Sequence, residues 1–348
     1  MTAVIPAHNE AAGIAKAIAA VAPQVDYVLV VSDNSTDDTE AVARAAIDAT
    51  GTPGNVMRTM SNAARKAGAL NQALAMLGLR PGEHVLAMDA DTVLSPGWVD
   101  KAFTALDAAD ADAAGAVFRA DRSDTWLTMM QAMEWARYEE QIDRTGRTHV
   151  LSGTAALVKA EALRAVQDHF GRVYDETAIT EDFRLTVDLK RTGAVLTSPR
   201  SLLVTTETMP TLRDLFLQRR RWSLGALQVC TRSGTSRVLW TYWRQQALLM
   251  VGIIALWAYL AVTAYGVAAS GLHVSWFWAI VGVAFVIERV ATVWDAGPRA
   301  RVVAALVVPE LAYAIVLQVA HVAALGQFVT GSSGTWHHVP TPAATAAN

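Results

Sequence analysis

Two carboxylates stand two residues apart at the end of an apolar run, in "VLAMDADTVL" (residues 85–94). In an extended chain residues i and i+2 point the same way, so Asp89 and Asp91 can project together. Such a pair suits a hard divalent cation whose remaining ligands are phosphate oxygens. Two common backbone cradles for phosphate are absent: no G-x-G-x-x-G follows the first strand-like stretch, and no G-x-x-x-x-G-K-[ST] occurs. The spacing therefore predicts a strand delivering Asp89 and Asp91 to a metal that carries a nucleotide's phosphates. A turn and helix cap is the second reading of the same residues.

Further candidates follow the same logic. "NAARKAGALNQAL" (62–74) puts Lys66, Gly68 and Asn71 at a helix start. "ITEDFRLTVDLKRTG" (179–193) sets Glu181 and Asp182 ahead of a helix, where acidic residues also simply complement the dipole. "LFLQRRRWSLG" (215–225) carries Gln218, Arg221 and Trp222 at i, i+3 and i+4, on one helical face. An amphipathic membrane-surface helix with snorkelling arginines is the other reading, and both can hold together.

These residues need elements to position them. "TAVIPA", "YVLVVSD" and "HVLAMDAD" read as buried strands, and Ala-rich or Ser/Thr/Asp-capped helical stretches alternate with them. That alternation predicts an α/β fold with a mostly parallel sheet covered on both faces. Ligands of such sheets sit beyond the carboxyl ends of the strands. Glu10, Asp33, Asp89 and Asp91 all fall there, on one rim. The formal charge of −3 excludes a nucleic-acid surface, and the lone Cys230 excludes a disulfide framework or a four-cysteine zinc site.

Composition changes near residue 246. "ALLMVGIIALWAYLAVTAYGVAAS" (247–270) is uncharged and exceeds the roughly 20 residues a bilayer needs. A second stretch (274–294) is bounded by Trp276, Trp278 and Trp294, as interfacial anchors would be. A third (301–329) is interrupted by Pro309-Glu310, so residues 301–312 also read as an interfacial helix. Glu288-Arg289 in the second stretch either face a bundle interior or mark a helix end. Arg232, Arg237 and Arg244 precede the first stretch, and Arg299 and Arg301 lie before the third. The positive-inside tendency then predicts residues 1–240 in the cytoplasm of a multi-pass inner or plasma membrane protein. The chain opens on a strand-like stretch rather than a signal peptide.

The ordered set "IPAHNE", "SDNSTDDT", "RKAGALN", "DAD", "TED" and "QRRRW", followed by apolar segments, resembles the membrane-integrated family 2 glycosyltransferases of the cellulose, chitin and hyaluronan synthase type. The resemblance implies a GT-A nucleotide-sugar-binding domain (1–208), amphipathic interface helices (209–245), a transmembrane region of about three segments (246–330) and a tail (331–348). It implies a UDP-sugar donor, Mg2+ or Mn2+, a glycan or lipid-linked acceptor, and a homo-oligomer or product hand-off, because such relatives carry membrane helices before the catalytic domain. On this resemblance Ala7, Glu10 and Asp33 line the nucleoside. Lys66 faces its phosphates or ribose, Asp89 touches the ribose or shares the metal, and Asp91 binds the metal. Asp182 is the general base. Glu181, Gln218, Arg221, Trp222 and Thr154, with Ser152 and Gly153, serve the diphosphate and acceptor. The plainer readings are a helix-end charge for Glu10, a loop cap for Asp33, a solvated helix lysine for Lys66 and a buried turn for 152–154.

The chemistry fits these residue types. A placed carboxylate takes the proton of an attacking hydroxyl, a contribution of about 10²–10⁴-fold. The anomeric centre passes through an oxocarbenium-like state, by analogy with glycoside cleavage. Metal and Arg221 stabilise the departing diphosphate. Trp336 in "GSSGTWHHVPTP" matches a tail tryptophan of the resembled enzymes, without their following arginine. The expected function is processive β-polysaccharide synthesis. Single-sugar transfer to a lipid or polyprenyl-phosphate acceptor stands as the alternative, and an inactive transport or scaffold protein as the reading from another class.

Overall fold

The structure is a computed structural model describing residues 1–145, 148–234, 236–271 and 275–331. Trp336 and the tail lie outside the described residues. The first half alternates strands and helices: β1 (Thr2–Ala7), α1 (Ile14–Val21), β2 (Tyr27–Ser32), α2 (Thr39–Thr50), β3 (Gly54–Arg58), α3 (Arg65–Leu77), β4 (His84–Met88), the short β5 (Val93–Leu94) and α4 (Trp98–Ala109). Then come β6 (Ala113–Gly115), β7 (Val117–Ala120), α5 (Trp126–Thr145), β8 (Ala155–Lys159), α6 (Ala160–Phe170), α7 (Glu181–Arg191), β9 (Leu196–Thr197) and β10 (Leu203–Thr206). Five helices close the described residues: α8 (Leu212–Arg232), α9 (Arg237–Ser270), α10 (Trp276–Ala291) and, past a short turn, α11 (Pro298–Leu306) leading into α12 (Val308–Val329).

The main sheet has the order β3-β2-β1-β4-β8-β6-β9. The β3-β2-β1-β4 half and the β6–β9 pair are parallel, while β8 runs antiparallel to both β4 and β6. The mostly parallel α/β expectation therefore stands. β1 and β2 are continuous apolar runs because helices cover both faces. Ile14, Ile18, Ile47 and Trp98 pack on one face, and Leu70, Leu74, Leu163, Val166 and Leu189 on the other. Pro6 lacks an N–H, which is costly in a central strand. It sits where β1 has outrun β4, whose register with β1 ends at Val4↔Ala87. The strand order turns at β1, so a crevice opens beyond the ends of β1 and β4, the usual ligand position in such sheets.

A three-stranded sheet, β5-β10-β7, stands beside the first. It brings Thr206, at the end of β10, to Asp91 just before β5. The apolar segments depart from the sequence reading in two ways. The second stretch forms a 16-residue helix, α10, about 24 Å long and short of a hydrocarbon core of about 30 Å. The third is divided at Val307, whose φ of 59° is costly for a β-branched residue. Two helices, α9 and α12, are long and apolar enough to cross a membrane. The boundary expected at 245/246 falls inside the unbroken α9.

Candidate active site

The site is assembled at the ends of β4 and β8 and the start of α7. β4 stops at Met88, and Asp89-Ala90-Asp91 form a turn, not an extended strand end. Asp89 N–H donates to the Thr154 carbonyl (3.2 Å) and Thr92 N–H to the Asp89 carbonyl (3.2 Å). The chain bends here because β5 leaves the main sheet to pair with β10. The two carboxylates still feel each other, since the charge of Asp91 helps raise Asp89.

Lys66, in the first turn of α3, ties the cluster together. Its ammonium lies 2.5 Å from Asp89 Oδ1 and 3.0 Å from Glu181 Oε1. Burial lowers its pKa, but Asp89, Glu181 and Asp182 reverse this and hold it well above the ordinary lysine range. Asp89 keeps 31% of its side-chain accessibility, as a residue of a cleft wall would. Desolvation there, only partly offset by Lys66, pushes it up to about 6. Asp182 is also raised to about 6, by desolvation first and by the adjacent Glu181 charge second. For Glu181 burial alone acts upward, yet Lys66 and more weakly Arg221 bring its carboxyl below the usual range.

The Asp182 carboxylate is held by its backbone: Gly153 N–H donates to Oδ2 (3.1 Å) and Phe183 N–H to Oδ1 (2.7 Å). Gly153 is the meeting point. A side chain there would begin 2.7 Å from Lys66 Nζ and 3.5 Å from both Asp182 Oδ2 and Asp89 Oδ2. Beside it the Thr154 and Ser152 hydroxyls bond each other (2.9 Å). Thus Lys66, Asp89, Gly153, Glu181 and Asp182 converge from positions far apart in sequence. Asp91 stands across the turn, raised by burial and then by the charge of Glu207. Its Oδ1 accepts from the Thr92 (3.3 Å) and Thr206 (3.5 Å) hydroxyls.

The nucleoside-side candidates lie on the same rim. The Ala7 carbonyl accepts Asp33 N–H (2.8 Å). Asp33 is buried, and its Oδ1 accepts from Asn34, Thr59 and Asn62 side chains at 2.9, 3.0 and 2.8 Å. Asp33 therefore fastens the loop after β2 to the β3 end and the α3 entry. Glu10 N–H donates to Thr39 Oγ1 (2.8 Å), and its carbonyl starts the turn into α1.

The "QRRRW" face divides. Arg221 acts on Glu181, on the site side. Arg219, which the spacing argument passed over, turns inward and is buried. It pairs with Glu134 (2.8 Å), donates to Gln218 Oε1 (2.8 Å) and stacks on Trp222 with its guanidinium 4.2 Å from the ring centre. Tyr313 of α12 donates to the same Glu134 oxygen (2.5 Å). The i, i+3 arithmetic fits Arg219 and Trp222 as well as Gln218 and Arg221, so three consecutive arginines hid which one points in. Glu134 and Tyr138 on α5, and Glu207, carried no motif. The Asp182 charge, after burial, pushes the Tyr138 phenol up to about 12.

Residues 2–167 match the model of the family described as glycosyl transferase family 2. A curated relative, succinoglycan biosynthesis protein ExoU of Rhizobium meliloti (strain 1021), is 33% identical over 202 residues, 55% of this chain and 57% of its own. The chain thus spans little more than half the length of that relative. The mannosyltransferase PcManGT of Pyrobaculum calidifontis, solved with GDP-Man and Mn2+, has the same fold over 95% of this chain and 87% of its own, with a TM-score of 0.63 at 19% identity. Glucosyl-3-phosphoglycerate synthase of Mycobacterium tuberculosis, solved with Mn2+, UDP-glucose and phosphoglyceric acid, overlaps 66% of this chain and 79% of its own, with a TM-score of 0.45 at 20% identity. Residues 2–167 are therefore similar to the family 2 glycosyl transferases, and the chain shares its α/β fold with PcManGT.

Proposed function

We propose that the chain is an inverting, metal-dependent glycosyltransferase that moves a sugar from a nucleoside-diphosphate donor, a UDP-sugar on the sequence reading, to an acceptor hydroxyl at a membrane. One observation carries this: Lys66 bridges Asp89 and Glu181 while Asp182 is presented beside them by the Gly153 and Phe183 amides. Asp182, raised to about 6, is ionised at neutral pH yet basic enough to take the acceptor's proton. Attack opposite the leaving group needs no covalent intermediate. Lys66 and Arg221 supply positive charge on the side where the diphosphate departs.

The cofactor reading is Mg2+ or Mn2+. The like charges of Asp91 and Glu207 repel, and a divalent cation would relieve that repulsion. Among the described residues no group of three His, Cys, Asp or Glu side chains could hold a metal. Asp91 would therefore hold the ion largely with donor phosphates, as hard divalent ions are commonly held. When bound, the ion neutralises the charge growing on the leaving diphosphate. The membrane reading draws on α9 and α12 and on the exposure of Trp276, Phe277, Trp278 and Ile280 along α10.

Nucleotide release across a panel of donors, with divalent metal present, tests the reading. Asp182→Asn is expected to abolish transfer and leave UDP binding intact. Loss of UDP binding as well would remove the base assignment. Processive synthesis and single transfer to a lipid-linked acceptor both use this site, and a cavity of about 890 Å3 lined by Thr180 and Asp182 together with Leu256, Phe285 and Leu317 of the apolar helices supports the second.

A further inference from the structure

Asp182, Thr186 and Lys190 stand four residues apart on α7, so they share one face of the helix. Each holds the backbone of the same short segment, residues 148–153, which forms no strand of its own. Asp182 accepts the Gly153 N–H (3.1 Å), and Thr186 Oγ1 accepts the Leu151 N–H (2.9 Å). The Lys190 ammonium donates to the carbonyls of Thr148 (2.6 Å) and His149 (3.2 Å). The segment therefore runs along α7 against the helix direction. The spacings agree: from Lys190 to Asp182 the helix rises about 12 Å, and the extended chain from His149 to Gly153 spans about 13 Å. Thr186 closes the set by donating to the Asp182 carbonyl (2.7 Å).

Lys190 is the far end of this row. Its third donor goes to the Tyr242 hydroxyl of α9 (2.9 Å), which itself donates to the His149 carbonyl (2.5 Å). Gln245, further along α9, lies 3.2 Å from His149 Nδ1. Three uncharged oxygens thus take the three N–H donors of the ammonium. No carboxylate among the described residues offsets the burial that lowers its pKa to about 8, so the contacts use its donors rather than its charge. The near end of the row is Gly153, whose amide holds Asp182 and whose missing side chain leaves room for Lys66. The next residue, Thr154, accepts the Asp89 N–H on its carbonyl. Loosening residues 148–151 would let the Gly153 amide retreat from the carboxylate, and a misplacement of about 1 Å can cost about 10²-fold in rate.

Resting on the function proposed above, we propose that Lys190 is a positioning residue for the transfer: with Tyr242 it clasps the Thr148 and His149 carbonyls, and this clasp sets the Gly153 amide against Asp182. It acts through the segment it draws onto α7, not on a reacting atom. Asp33 and Asp91, the candidates for nucleoside and metal, are tied instead to Thr59 and Thr206. The nucleotide is therefore expected to bind whether or not the clasp is closed.

The test uses the full chain in lipid nanodiscs, with turnover read as nucleotide release from the donor that the panel above selects, and UDP affinity read by calorimetry. Lys190→Met keeps the stem and removes the donors. It is expected to lower kcat at least about tenfold, with the donor KM and the UDP affinity within about twofold of the parent. Deuterium uptake over residues 148–154 is expected to rise, with uptake across β1 and β2 unchanged. Tyr242→Phe removes one hydroxyl, keeps the ring beside Phe183, and is expected to lower kcat about threefold; it carries the test should Lys190→Met fail to fold. Because both act through one clasp, the double variant is expected to lose little more than Lys190→Met alone. The proposal is overturned if kcat of the folded variants stays within about twofold of the parent, or if UDP affinity falls in step with kcat, as it would for a merely structural role. An active parent beside unchanged variants removes only this inference. A parent that turns over no nucleotide sugar removes the function it rests on, and the deuterium uptake of Lys190→Met then still reports whether the clasp holds the segment.

Discussion

In its proposed role as base, Asp182 would work only when ionised, and its raised pKa sets where that happens. Burial and Glu181 put it near 6, so the carboxylate is lost as pH falls through that value. The transfer rate at low acceptor concentration is expected to drop about tenfold per pH unit below about 6 and to level off above it. Asp89 titrates in the same range, so the acidic limb belongs to the pair, not to one residue. A profile flat down to pH 4.5 would remove the base role. Gly153→Ala offers a second residue-scale test. The new methyl would begin 2.7 Å from Lys66 Nζ, and a lysine tip can move aside, so the fold is expected to persist. Lys66 would then leave Asp89 or Glu181, and turnover is expected to fall at least about tenfold. For the metal, Asp91→Ala and EDTA treatment are both expected to remove metal-stimulated UDP binding, read by calorimetry. Asp33 and Asp89 were legible because each closes an apolar run, whereas Glu181 and Asp182 were legible as the acidic start of a helix. Gly153 was visible only as one letter of a weak motif, since its importance lies in what its missing side chain leaves room for.

At the scale of elements, α8 presses against the turn that presents Asp182. A side chain at Gly225 would overlap Thr180, two residues before Asp182. Gly→Ala inside an exposed helix normally stabilises by about 1 kcal/mol. Here the sign is expected to reverse, with Gly225→Ala costing about 1–3 kcal/mol through overpacking and lowering turnover, measured by thermal midpoint and nucleotide release. A rise in midpoint would show that α8 is free to back away. The alternating strands and helices of the sheet were readable from the sequence because helices cover both faces and leave long apolar runs. α5 was not readable as part of the site. Glu134, Arg137 and Tyr138 sit in a helix without a motif, and their partners Arg219, Glu310 and Asp182 lie tens to hundreds of positions away.

For the whole molecule, the composition step near residue 246 falls inside a helix, α9, whose apolar surface is exposed on both sides of it, from Trp240 onward. Trp257, Val262 and Tyr265 of α9 are all more than 40% accessible, and water is a poor neighbour for a surface of that kind. Washing membranes with alkaline carbonate is expected to leave the full chain in the pellet; its appearance in the supernatant would count against insertion. What composition could not report is how the segments are cut. The break at Val307 and the shortness of α10 depend on how α11 and α12 pack against α5 and α8 around Val293, Ala300 and Tyr313.

The unbroken α9 carries one more implication. Tyr242 near its start touches Phe183, the neighbour of Asp182, ring to ring at 4.9 Å, and takes Lys190 on its hydroxyl at 2.9 Å. From Tyr242 to Ala247, where the uncharged run of the same rod begins, is a rise of only about 8 Å. On the proposed membrane reading the rod would act as a depth gauge, holding the candidate site at a fixed height above the layer that grips its lower end. Bilayers that are too thick or too thin should tilt the rod and displace that site, so turnover should peak at one acyl-chain length.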